Sequence, residues 1–103
     1  MIIQTQNKEE LINFENIMNV EVTDCDEEGF GIFAGFIVGR DDNYRLLGYY
    51  KSKERATEIL QEIASAYSDF KYYAAENGKK KTEIGIKIYQ NYRSIDLYEM
   101  PEK

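Results

Sequence analysis

The sequence predicts an α+β fold: one domain over residues 1–103, with an antiparallel sheet of five to seven strands and one long helix, about 52–75, packed across it. Three observations predict this. Between Ser52 and Tyr73 the apolar residues Ala56, Ile59, Leu60, Ile63, Tyr67 and Phe70 recur every three or four positions, the period of one helix face. Before that stretch the pattern alternates with period two, and after it the alternation resumes at 83–89. Runs of strands flanking a single helix make a sheet with the helix on one face.

The elements follow in order. Residues 2–6 and about 10–14 are apolar runs separated by Asn7-Lys8-Glu9, a β-hairpin pattern. In 17–24, Met18, Val20 and Val22 alternate with Asn19, Glu21 and Thr23, which predicts a half-buried strand. The acidic stretch from Asp24 to Gly29 reads as a turn. Residues 30–38 are apolar on both faces, so this strand belongs in the sheet centre, with the helix over one face and some other cover over the second. Gly31 and Gly35 mark bulges or a close approach by another chain. A second turn, 39–43, leads to a strand at 44–50. Ser52 is placed to cap the helix, with Glu54 near the positive end of its dipole, and Asn77-Gly78 is the expected stop. A last hairpin joins 83–89 to 94–100, with Ile95 and Leu97 pointing inward.

Composition narrows the function. Hydrophobic content of 43% and charged content of 31% are those of a globular domain. No apolar run approaches the ~20 residues that cross a bilayer. The amino-terminal residues lack the basic start and apolar core of a signal peptide, and Cys25 has no partner for an internal disulfide. Both point to the cytoplasm. Thirteen basic residues against 19 acidic give a net charge of −6, which argues against general DNA binding. The absence of histidine removes the common nucleophile–histidine mechanisms and most metal clusters, so no enzyme, cofactor or metal is expected.

Four features are candidates for chemistry. Asp24, Asp26 and Glu28 begin like a calcium loop, but the twelfth position, which needs a bidentate glutamate, is Gly35. The carboxylate pairs Glu27–Glu28 and Asp41–Asp42 sit in polar turns, where solvation is the simpler reading. Cys25 has acidic neighbours that blunt its nucleophilicity, so it reads as structural. The segment around the helix end is the one basic, aromatic region. Its rings can stack on a base and its cations can neutralise phosphate: Tyr72, Tyr73, Lys79, Lys80, Lys81, Tyr92 and Arg93. The competing reading is a solvated turn beside half-buried tyrosines. Tyr67, Phe70, Tyr72 and Tyr73 also leave apolar surface on more than one side of the last turns. A second copy would cover it, which predicts a homodimer or higher homo-oligomer; cover by the C-terminal hairpin is the alternative.

Three pieces carry a family resemblance: Ile2-Ile3 with Gln6-Asn7, the run from Leu47-Gly48 and Tyr50 through Ser52, Glu54-Arg55-Ala56 and Glu58-Ile59-Leu60 to Glu62-Ile63, and the ending Tyr98-Glu99-Met100-Pro101. In these the chain resembles short accessory proteins of phages and mobile elements of Gram-positive bacteria, over most of its length except 68–93. The motifs read as fold determinants, and the resemblance brings no catalytic residues. It implies a small protein that counters host defence in the host cytoplasm, by one of two routes. One is a sponge for a nucleotide immune signal, as in anti-Thoeris and anti-CBASS proteins, using the basic aromatic residues above. The other is an acidic inhibitor of a basic host defence protein, as in anti-CRISPR proteins, using Asp24, Asp26, Glu27, Glu28, Asp41 and Asp42.

Overall fold

In the computed structural model the described residues are 1–38, 41–79 and 97–103, with backbone alone at 37, 38, 41, 42 and 73–79. They form β1 (Ile2–Gln4), β2 (Leu11–Asn13), β3 (Asn19–Asp24), β4 (Phe30–Val38), β5 (Asp41–Tyr50), α1 (Lys53–Lys79) and β6 (Leu97–Glu99). Short 3-10 turns at Phe14–Asn16 and Asp26–Glu28 precede β3 and β4. The α+β class and the single long helix are as expected. The one antiparallel sheet is not: the strands divide into two three-stranded sheets, β2-β1-β6 and β3-β4-β5. β6 also runs parallel to β1, with Ile3 opposite Tyr98.

The larger sheet is a meander with β4 in its centre, as the doubly apolar pattern required. One face carries Val20, Val22, Ile32, Ala34, Leu47 and Tyr50 into the core. The bulge falls on β5, not at the glycines of β4: Ile32 faces Gly48 and Phe33 faces Leu46, so Leu47 is the additional residue, and it is buried. Gly31 lies under the ring of Phe33 and Gly35 under Asn19 and the ring of Tyr44, all contacts made within the sheet. The second turn is shorter than expected, because Asp41–Asn43 already pair with Phe36–Val38.

α1 covers the core face. Ala56, Ile59, Ile63 and Phe70 are buried along its apolar stripe, and Ser52 caps it by accepting from the Arg55 amide at 3.1 Å. The helix passes through Asn77-Gly78 to Lys79. A glycine near a helix end costs about 1 kcal/mol relative to alanine, which does not stop the helix. Tyr67 and Phe70 need no second copy for cover at their core side. Phe14, on the first 3-10 turn, packs against Tyr67 with the rings tilted and their centroids 4.3 Å apart, and Glu15 accepts from the Tyr67 hydroxyl at 3.2 Å and from Lys71 at 3.3 Å. Partial burial pushes the Glu15 carboxyl up, but these two donors and the Lys71 charge bring it below its ordinary value.

The two sheets and the C-terminal residues meet at Gln6. Its side chain accepts from the Tyr49 amide at 2.8 Å and donates to the carbonyls of Tyr49 and Glu102, both at 2.9 Å. Its backbone amide donates to Leu47 at 2.8 Å. Gly48 makes the approach possible: a Cβ there would stand 2.9 Å from Gln6 Cβ. Nearby, the Tyr50 hydroxyl donates to the Pro101 carbonyl at 2.7 Å, Arg55 donates to the Lys103 carbonyl at 3.0 Å, and the Met100 amide donates to Gln4 at 3.0 Å. The three sequence pieces singled out above thus converge on one junction. They act there on the fold.

This junction is expected to make the protein sensitive to alkali. Burial pushes the Tyr50 phenol up to about 12, with Glu62 adding to the rise and Arg55 opposing it. Tyr98 is raised by burial and by its 3.0 Å hydrogen bond to Glu62. It lies inward, whereas Leu97, expected to, is 40% exposed. A phenol whose folded pKa exceeds its unfolded value holds its full stabilising effect below the unfolded value, about 10, and loses it as pH rises through the folded one. Urea denaturation is expected to show a loss on the order of 1 kcal/mol from Tyr50 between pH 9 and 11. Tyr50→Phe should flatten that slope; an unchanged slope contradicts the assignment.

Candidate ligand-binding site

Among the described residues a groove of about 860 Å³ opens where β2 faces the far ends of β4 and β5. The alternation along β4 and β5 places Phe36, Asn43 and Arg45 on the core-side face, beyond the reach of the buried residues. β2 and the turn after it form the opposite wall, with Leu11, Ile12, Asn13 and Asn16. The lining is mixed. Phe36 is half-buried at the base, Leu11 and Tyr44 are 67% and 52% exposed at the rim, and three carboxamides and one ion pair supply polar groups.

The polar groups differ in how far they are engaged. Asn13 caps the 3-10 turn, its oxygen accepting from the Glu15 amide at 3.1 Å. Asn16 and Asn43 make no side-chain hydrogen bond to a described residue. Arg45 meets Glu10 at 3.5 Å with both side chains well exposed, a pair weak enough to be exchanged for a ligand. A second depression, along α1 at Glu58, Glu62 and Asp69, is shallow and carboxylate-lined, which disfavours anions.

The predicted site residues fall as follows. Tyr72 is 63% exposed on α1, two positions past Phe70, which is buried. Tyr73 and Lys79 lie on the backbone of the last helical turns. Lys80, Lys81, Tyr92 and Arg93 lie outside the described residues, as does the expected strand at 83–89. Asp24, Asp26, Glu27 and Glu28 are all exposed around the second 3-10 turn, where Asp24 accepts from the Asp26 amide at 3.0 Å. Glu28 accepts from the Tyr49 hydroxyl and thereby raises its pKa, with partial burial adding to the effect. Asp41 and Asp42 open β5. Asp24 pairs with Phe30 and Asp41 with Val38, so the two acidic groups stand at opposite ends of β4, about 27 Å apart at 3.4 Å per residue. One compact acidic patch is therefore not formed from all six.

No family model, no curated protein and no solved structure matches the chain. Among the described residues no group of three or more acidic or thiol side chains is arranged to hold a metal ion, and no helix is long and apolar enough to cross a membrane. The groove itself was not foreseen. Its residues come from four separate stretches, and none forms a local motif.

Proposed function

We propose that the protein is a non-enzymatic, phage-type anti-defence protein that binds and sequesters a nucleotide immune signal, working as a homo-oligomer in the host cytoplasm. The observation that carries this reading is the position of Tyr72. It is a largely exposed ring on α1, just past Phe70, the last described core residue of that helix, at the start of the one basic, aromatic stretch of an acidic chain. Exposed rings stack on bases at about 1–3 kcal/mol each, and the lysines that follow in sequence suit phosphate. Calorimetric titration with cyclic oligonucleotides and cyclic ADP-ribose isomers is expected to give saturable binding at micromolar protein, and light scattering a mass above one chain. No heat with any of these ligands overturns the proposal.

A second reading has its own observation. The carboxylates of Asp24, Asp26, Glu27 and Glu28 are all solvent-exposed on one hydrogen-bonded turn, a surface suited to a basic protein partner. On that reading, reversing these charges weakens capture of a basic host defence protein and removes the salt dependence of binding. Asp41 and Asp42, at the far end of β4, contribute separately or not at all.

A further inference from the structure

We propose that the groove between β2 and the ends of β4 and β5 is a binding site for an adenine mononucleotide unit. This rests on the nucleotide reading above and names the part of the ligand that the groove takes. The volume of about 860 Å³ lies within the range of small-ligand pockets. Phe36 offers ring surface at its base for a flat heterocycle, while the ring of Tyr44 lies over Gly35 on the other face of the sheet. Asn16 and Asn43 present carboxamides that no described side chain or backbone group engages. A carboxamide donates and accepts side by side, the pattern that matches adenine at N6 and N7. Guanine, with two acceptors on that edge, matches an arginine better.

Arg45 supplies the charge. It stands in the same lining as the carboxamides, and among the described residues it is held by the exposed 3.5 Å pair with Glu10. A phosphate takes two parallel hydrogen bonds from a guanidinium and displaces a single loose carboxylate contact. Among the described residues one cation, Arg45, lines the groove, which suits a single phosphate. The first 3-10 turn joins the groove to α1. Phe14 and Glu15 of the first 3-10 turn touch Tyr67 and Lys71 of α1, and Asn16 of the same turn lines the groove. A longer nucleotide signal can therefore place one base in the groove while the rest extends towards Tyr72.

The test is titration of the full chain with AMP, GMP, adenosine and inorganic phosphate, in the wild type and in Phe36→Leu, Arg45→Gln and Tyr72→Ala, each checked for unchanged circular dichroism. AMP is expected to bind at least tenfold more tightly than GMP. Phe36→Leu, which keeps an apolar side chain but removes the ring, should weaken AMP at least tenfold. Arg45→Gln should weaken AMP but leave adenosine unchanged. Phe36→Tyr, which keeps the ring, should retain binding. Phosphate that competes as well as AMP, or an AMP affinity unmoved by Phe36→Leu, overturns the proposal. Nucleotide binding lost in Tyr72→Ala but intact in Phe36→Leu also overturns it, yet leaves the sequestration reading standing. No AMP binding in the wild type overturns this proposal, and the sequestration reading falls with it only if cyclic oligonucleotides and cyclic ADP-ribose isomers give no heat either.

Discussion

Gly29→Ala is expected to destabilise the fold by about 3 kcal/mol or more. Gly29 closes the second 3-10 turn at φ 99° and ψ −140°, a region that side chains rarely enter. A Cβ there would also be driven into the backbone carbonyl of Tyr50. That carbonyl cannot turn aside: Tyr50 pairs with Phe30 in the ladder, and Ser52, two residues on, caps α1. The conformational cost, roughly 1–3 kcal/mol, and the steric cost of similar size fall on the same residue. For a domain of this size that is a large share of the total stability. Urea denaturation of Gly29→Ala should show a lower midpoint with an unchanged slope. A variant within about 1 kcal/mol of the wild type would show that the turn relaxes.

Much of this fold was legible because the signals are local. Ala56, Ile59, Ile63 and Phe70 announce α1 by spacing alone, and all four are buried. The hairpins β1–β2, β3–β4 and β4–β5 join neighbours in the chain, so a turn signal and an alternation suffice to predict them. What was not legible is non-local. The pairing of β6 with β1 joins residues almost a chain length apart, and no turn chemistry records it. The inward phase of β6 was misread for a different reason. Leu97 is the more apolar residue, but the hydroxyl of Tyr98 finds Glu62 on α1, so the tyrosine turns inward and the leucine out.

The candidate site follows the same division. Basic and aromatic residues after the helix stand out in an acidic chain, so the sequence directs attention to them. The groove has no such signature. Asn16 and Asn43 read as turn residues, and Arg45 sits alone between a tyrosine and two leucines. They come together only when the bulge at Leu47 sets the phase of β5 and the first 3-10 turn places Asn16 in the same groove lining as Phe36. The acidic candidates illustrate the converse. Asp24 and Asp41 look alike in sequence, yet β4 holds them apart by its whole length.

Gln6→Ala carries the second large effect, expected at about 2–3 kcal/mol. The loss has two parts. Three hydrogen bonds from one carboxamide disappear, and the Tyr49 amide and carbonyl at the edge of β5 lose the partner that satisfies both. Unpaired backbone groups cost more than the average hydrogen bond contributes, because they keep the desolvation penalty without the compensation. Gln6→Glu separates this account from a simple packing role. Glutamate keeps the volume and the acceptor for the Tyr49 amide, but turns an oxygen towards the carbonyls of Tyr49 and Glu102 where Gln6 donated. It should therefore be destabilised at pH 7 and regain stability at pH 4, where a protonated carboxyl donates again. Gln6→Ala has no group to titrate and should show no such recovery. Equal loss in both variants at both pH values would mean that the side chain acts by volume alone, and that Gly48 admits Gln6 for packing and not for its hydrogen bonds.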